Sequence, residues 1–521
     1  MIVGKLHSNC SNSLRIFFSA VFLFIVYYKT ADDISSRSSV TFPSLDSFIK
    51  DWCRIRRQRL DTKWILNVCN SDISWKGHVT GDEKTKLTTD ASKSEISDFQ
   101  LSPSGEFSRF FISTKTSDGV RKTFGGDSWR IRLLGPAAIS PSVFDLGNGS
   151  YEVLFLVMEP GVYRVDIFLD YSLCDGYRDP PDNWFVLGNS QGKMQPDGSL
   201  GGHAKTDYLM QKFRDGERIL INIPLSRGEG AHLLNALPEL HPEIATGYDV
   251  TCGTNCLWAW DGYGRWIDEV WKPYLTPHQS KTPKPPKAPP KYSTLLIYGD
   301  SQADRMFKSI KNSSLCTSLF TSCKVRKMWV YPYTNELPPD DNLDFNPDVI
   351  IQDLREWLES EELNKKSVVL LNLGLHYAMD VSAATFTHLM DEVVKMIKSG
   401  RARNTIRARI IWKTTTALSK EKDLKEFLFI DRKRFLTVPR VQVFNPISTS
   451  RACAADLEVF DVFPLTRSYP QGTGGPDVEF YKEHDIVHFK YYLLKPLEDI
   501  LQEYLQDQVP LPISIENYEF H

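Results

Sequence analysis

Thr294-Leu-Leu-Ile-Tyr-Gly-Asp-Ser301, followed by a helical stretch that begins near Ala303, decides the fold. Leu295-Leu-Ile-Tyr298 is apolar at successive positions, so a strand here buries both of its faces between layers of helices. Val368-Val-Leu-Leu371 and Arg409-Ile-Ile-Trp412 repeat the pattern downstream. Strands are expected at Thr294–Tyr298, Val325–Tyr331, Asp348–Gln352, Ser367–Leu373 and Ile406–Lys413. Helices are expected from Ala303, near Leu354–Leu363, over Ala383–Lys398 and from Phe489 to about Leu505. This alternation predicts an α/β domain over residues 292–510 with a mostly parallel sheet between two helical layers, and a short tail over 511–521.

A serine at the carboxyl end of a parallel strand and the start of a helix has backbone N–H groups at hand for an oxyanion. Ser301 is therefore the candidate nucleophile; its competing role is a helix N-cap. Gly126-Asp-Ser128 repeats the tripeptide ahead of an alternating strand, with no helix after it and no base nearby, so context rather than the tripeptide carries the inference. A hydroxyl needs a base. Asp485-Ile-Val-His488 precedes the last amphipathic helix, and in a turn this spacing lets the carboxylate orient one ring nitrogen while the other reaches the hydroxyl. His484 competes for the role. Asn372-Leu-Gly-Leu-His376 ends the strand Ser367–Leu373 and faces the same crevice, which makes Asn372 and Gly374 candidate oxyanion or substrate donors. Arg305, one helical turn after Ser301, is a candidate for a substrate anion or for Asp300, and His376 is a further candidate contact.

Upstream, the period changes to two. Trp129, Ile131 and Leu133, then Tyr151, Val153, Phe155 and Val157, then Tyr163, Val165, Ile167 and Leu169 each share a face, with Gly/Asn and Pro-Gly turns between them. These mark an antiparallel β-sandwich over residues 105–173. Residues 174–281 carry Trp184, Trp258, Trp260, Trp266 and Trp271 and are expected to pack as a connecting region. The Pro/Lys run Thr282–Lys291 is expected to be an extended linker. Residues 31–104 are polar and are expected to form a stem, in which Trp52, Trp64 and Trp75 offer a packed island.

Ile16–Tyr28 is apolar except for Ser19, and Arg15 and Lys29 flank it. It is a type II signal-anchor, within a region spanning residues 1–30, or a cleaved signal; as a helix it spans about 20 Å. Both place the rest of the chain in the secretory pathway, as a Golgi membrane protein with lumenal domains or as a secreted protein. Beyond Cys10, Cys53, Cys69, Cys174, Cys252, Cys256, Cys316, Cys323 and Cys453 suit an oxidising lumen. Cys316 with Cys323 is a natural local pair, and Cys252-x3-Cys256 lacks the second ligand pair a metal site needs. Asn148-Gly-Ser and Asn312-Ser-Ser are glycosylation sequons. The chain has 521 residues, 41% hydrophobic and 12% aromatic, enough for several cores. Its 62 Lys+Arg against 65 Asp+Glu give a net charge of −3, which argues against a nucleic-acid partner.

Gly299-Asp-Ser301, Asn372-Leu-Gly-Leu-His376 and Asp485-Ile-Val-His488 together resemble the PC-esterase branch of the SGNH/GDSL superfamily. The preceding sandwich, around Gly125-Gly-Asp127, Asp145–Tyr151 and Glu159-Pro-Gly161, resembles the filamin/immunoglobulin-like neurexophilin module. The combination resembles the neurexophilin and PC-esterase domain (NXPE) family over residues 105–510. That resemblance implies a glycan O-acetyltransferase or O-acetylesterase with Ser301 as nucleophile, His488 as base and Asp485 as its orienting carboxylate. No bound cofactor or metal is implied; an acetyl donor such as acetyl-CoA would be a substrate of a transferase. The implied partners are a glycan or glycoprotein substrate, the membrane through the anchor, and a protein partner of the sandwich. The alternative is a catalytically silent, neurexophilin-like binding protein that uses the sandwich for recognition.

Overall fold

The computed structural model describes residues 43–70, 72–181, 184, 198–226, 252–254, 256–275, 290–328, 345–422, 431–474 and 485–506. The run Ile16–Tyr28, most of the Pro/Lys run, His484 and the tail lie outside the described residues. Among the described residues no helix is long and apolar enough to cross a membrane. The chain divides into two compact units, Met1–Lys50 and Asp51–His521, and the sheets and the site belong to the second.

Three sheets organise it. In the first, β1 (Glu95–Gln100), β2 (Phe107–Ser113), β6 (Ser150–Leu156) and β5 (Ser142–Asp145) run antiparallel in that order. The second pairs β3 (Ser128–Leu134) with β7 (Gly161–Tyr171) and adds β4 (Ala138–Ile139), β8 (Gln211–Lys212), β9 (Ile219–Ile223), β11 (Gly264–Ile267) and β12 (Val270–Pro273). Phe110, Tyr151, Val153 and Phe155 from one sheet meet Trp129, Ile131, Leu133, Tyr163 and Val165 from the other in a single apolar core. The alternation that marks these strands in the sequence is the alternation that builds this core.

The third sheet holds β10 (Leu257–Trp260), β17 (Glu458–Phe460), β16 (Arg409–Lys413), β15 (Val368–Leu371), β13 (Tyr292–Gly299) and β14 (Phe320–Lys327) in that order, every pair parallel. Its two faces divide as the doubly apolar runs require. Leu296, Tyr298, Val369, Leu371, Ile410 and Trp412 pack with helices Pro347–Leu358, Ala383–Ala402 and Val438–Ala454. Leu295, Ile297, Val368, Leu370 and Ile411 pack with helices Ser301–Ile310 and Tyr491–Gln506. The first strand, β13, has β14 on one side and β15 on the other, so strand order reverses at its carboxyl end and opens a crevice there.

Several boundaries differ from the sequence expectations. Asp348–Gln352 is helical, not a strand: Asn346 caps it, accepting from Asp348 N–H at 3.0 Å, and Pro347 occupies a first-turn position, so Pro347–Leu358 forms one helix. Residues 51–100 are folded rather than a stem. Trp52 is 1% exposed, and Arg54, Arg56 and Arg59 bond Glu152, Asp261 and Asp461, joining this segment to both the sandwich and the α/β domain. The connecting region is more than a connector, because it supplies β8, β9, β11 and β12 to the sandwich and β10 to the parallel sheet. Its polar, aromatic-rich stretches show no clean period because their partners are distant in sequence. Four disulfides join Cys53 to Cys252, Cys69 to Cys174, Cys256 to Cys453 and Cys316 to Cys323. The local pair is the one expected, and Cys252 and Cys256 go to different partners. Asn148 and Asn312 lie exposed on turns.

Candidate active site

The site grows from the end of β13. Gly299 does not adopt a left-handed conformation; a Cβ there would stand 3.1 Å from both the Ala303 Cβ and the Asn372 carbonyl oxygen, so glycine is needed for close approach rather than for the turn. Asp300, not Ser301, is the N-cap. Its Oδ1 accepts from Gln302 N–H at 2.9 Å and its Oδ2 from Leu375 N–H at 3.0 Å, so one carboxylate starts the helix after β13 and pins the helix after β15. With the cap supplied by its neighbour, the Ser301 hydroxyl is left for other work.

That hydroxyl lies 2.8 Å from His488 Nε2, and His488 Nδ1 lies 2.7 Å from Asp485 Oδ2. Asp485 Oδ1 also accepts from the N–H groups of Val487 (2.8 Å) and His488 (3.0 Å), so the carboxylate shapes the turn that presents the ring. Burial alone would raise the Asp485 carboxyl. The bond and charge of the His488 ring and the two N–H groups outweigh burial and hold it below the ordinary carboxylate range. The carboxylate therefore stays ionised and fixes the imidazole's orientation. The side chains of His488 and Asp485 are each 15% exposed, so the chain of hydrogen bonds reaches the surface.

The structure thus brings Ser301, His488 and Asp485 together, and places the other candidates differently. The Asn372 amide is committed: it donates to the Lys413 carbonyl at 2.8 Å and to Thr415 Oγ1 at 3.3 Å, tying the ends of β15 and β16. The expectation that Asn372 supplies an oxyanion donor is corrected to a positioning role, because both amide hydrogens already have acceptors. Gly374 sits between the Asn372 amide oxygen and the Asp300 carboxylate, where a Cβ would come within 2.3 and 2.7 Å of them. Among the described residues the main-chain N–H groups of Ser301 and Gly374 have no acceptor and are available to an oxyanion. His376 is half-buried on the short helix Leu375–Asp380. Ser128 opens β3 in the sandwich and bonds no histidine among the described residues.

Arg305 is closed to a substrate. It is 1% exposed and its Nε donates to the Phe489 carbonyl. Gln302, also buried, donates from Nε2 to the Val487 carbonyl at 2.7 Å. The helix that begins with the serine thus grips the main chain on both sides of His488. Ser419 N–H and Gly474 N–H hold the Ile486 and His488 carbonyls at 3.0 and 2.8 Å. The sequence signal for this clamp is a polar pair three residues apart among Ala303, Met306 and Ile310 on the buried helix face. Gln302→Ala should lower kcat for ester hydrolysis about tenfold with KM nearly unchanged, while Gln302→Glu, which keeps the size but replaces the donor, should not restore it. Steady-state kinetics on folded variants tests this; an unchanged kcat in Gln302→Ala contradicts the clamp. Lys413 is also buried at the carboxyl edge, where burial lowers its amine to about 8 against the attraction of Asp300.

No family model matches the chain. Among solved structures it is similar to a lipase/acylhydrolase from Enterococcus faecalis, at 12% identity over 41% of this chain and 95% of that chain, with a TM-score of 0.27. It is also similar to the Lin-41 filamin domain, at 10% identity over 27% of this chain and 99% of that chain, with a TM-score of 0.17.

Proposed function

We propose that the chain is a serine esterase or acyltransferase of SGNH type that works on O-acetyl groups of a glycan through an acyl-Ser301 intermediate. The observation that carries this is the continuous Ser301–His488–Asp485 hydrogen-bonded chain at the strand-order reversal of a parallel sheet. His488 Nε2 takes the Ser301 proton as Oγ attacks the acyl carbon. The tetrahedral oxyanion is met by the N–H groups of Ser301 and Gly374. The His488 proton then passes to the departing group, the alcohol oxygen of an ester or the sulfur of a thioester donor, leaving the acyl-enzyme, and water or a sugar hydroxyl returns along the same path.

The glycan and the acetyl group come from the resemblance to the NXPE family. In that reading the sandwich and the α/β domain both lie in the secretory lumen, held by the N-terminal anchor, and the four disulfides are compatible with that compartment. Incubating the full chain with an O-acetylated glycoprotein and, separately, with the de-acetylated glycoprotein and acetyl-CoA tests the reading. Release of acetate in the first arm marks an esterase, and labelled sugar in the second marks a transferase. Neither product, from a chain that also fails to hydrolyse p-nitrophenyl acetate, contradicts the proposal.

A further inference from the structure

A second cavity lies away from the triad, where the sandwich meets the carboxyl edge of the parallel sheet. It measures about 120 Å³ and is lined by residues of β3, β5, the turn after β17 and the start of the Val438 helix; none of Ser301, Asp485 and His488 belongs to it. Asp127 and Ser128, of the second Gly-Asp-Ser, form part of its wall.

Its charged lining is unequal in partners. Asp127 is held by Lys122 at 3.0 Å, Asp145 by the N–H groups of Gly126 and Gly147, Asp170 by Arg130 at 2.9 Å, and Asp461 by Arg59 at 2.8 Å. Arg467 is the exception: among the described residues it has no hydrogen bond and no ion pair. Burial draws its guanidinium down to about 10; Asp170 and Glu421 oppose this, while Arg130 and Arg132 add to it. Arg467 is half-buried, so its guanidinium N–H groups, which have no acceptor among the described residues, are offered to an anion that enters the cavity. An interior void left by imperfect packing is apolar, whereas this cavity opens to solvent and is lined by Arg467 and by the aromatic residues Trp129, Tyr177 and Tyr263.

We infer that this inter-module cavity binds a small ring-bearing carboxylate, its carboxylate paired with Arg467 and its ring against the aromatic wall. A guanidinium receives a carboxylate through two parallel N–H bonds, which suits a planar anion. The cavity, about 120 Å³, is comparable with the roughly 150 Å³ that takes up benzene, and it opens to solvent on one side, where the rest of a larger ring can lie. The site is independent of acyl transfer at Ser301.

Thermal unfolding of the full chain at matched ionic strength tests it with sodium benzoate and sodium D-glucuronate, each against its neutral counterpart, benzyl alcohol and D-glucose. At a hundredfold excess over Kd an acid should raise Tm by on the order of 2–3 °C, and its neutral counterpart should not. A response to benzoate alone identifies an apolar ring, to glucuronate alone a hydroxylated one. Ser301→Ala should retain the shift, Arg467→Gln should lose it, and Arg467→Lys should keep a reduced part. Without ligand, Arg467→Gln should melt close to the wild-type temperature, because among the described residues the half-buried guanidinium has no hydrogen bond to lose. The proposal is overturned if neither acid acts, if the shift survives in Arg467→Gln or vanishes in Ser301→Ala, or if Arg467→Gln fails to fold while Arg467→Lys melts lower.

Discussion

Replacing Ser301 by alanine should reduce hydrolysis of an activated acetyl ester by about 10⁴–10⁶-fold, the loss seen when a nucleophile is removed from a Ser-His-Asp unit. His488→Ala should cost about as much, since among the described residues His488 is the base bonded to the serine hydroxyl. Asp485→Asn should cost less, on the order of 10⁴-fold, through a misdirected imidazole. The three act as one unit, so the Ser301→Ala/His488→Ala double variant should be no worse than either single one. These are kcat measurements on protein whose near-UV circular dichroism matches wild type. Multiplicative loss in the double variant would mean that the 2.8 Å contact between serine and histidine is not the working one. A folded Ser301→Ala chain with undiminished biological activity would favour the binding-protein alternative.

The second large effect is on stability. The Cys69–Cys174 bridge joins residues 105 apart and Cys316–Cys323 residues 7 apart. Chain-entropy reasoning gives about 4.7 kcal/mol for closing a loop of about 100 residues and roughly 2.4 kcal/mol for one of about 8. Cys69→Ala/Cys174→Ala should therefore lose about twice as much unfolding free energy in urea as Cys316→Ala/Cys323→Ala. Equal losses would contradict a bridge that works by restricting the unfolded chain. The long bridge has a further task, because it fastens residues 51–100 to the loop after β7, and its loss should expose that segment to proteolysis first.

How far the sequence revealed this molecule depends on how local the determining contacts are. β13, β15 and β16 are legible because a strand buried on both faces must be apolar at successive residues, as Leu295–Tyr298 and Val368–Leu371 are. The sandwich strands are legible by alternation. The helix at Pro347–Leu358 is misread when Val349-Ile-Ile351 is weighed without the Asn346-Pro347 cap that starts it. The segment carrying Trp52 reads as a stem because its charged residues outnumber its apolar ones, yet Arg54, Arg56 and Arg59 are satisfied by carboxylates far along the chain.

The site follows the same division. Ser301, Asp485 and His488 stand in motifs whose spacing reports their chemistry. The roles of Asn372 and Arg305 do not, because a carboxamide or a guanidinium has the same letter whether it faces a substrate or a buried carbonyl. Only the acceptors found for them, Lys413 O, Thr415 Oγ1 and Phe489 O, decide the matter. Asp300 shows the converse: a residue of the recognised tripeptide whose task, capping one helix and bracing another, becomes visible only when Leu375 is seen to donate to it.

The central claim is that Ser301, and not the serine of the second Gly-Asp-Ser, is an activated nucleophile. Treating the folded chain with a fluorophosphonate and mapping the adduct by peptide mass spectrometry tests it most directly. The account predicts one adduct, on Ser301, formed at least about a hundredfold more slowly in His488→Ala, where the base is gone. No adduct, an adduct on Ser128, or labelling of Ser301 at the same rate in His488→Ala would contradict it.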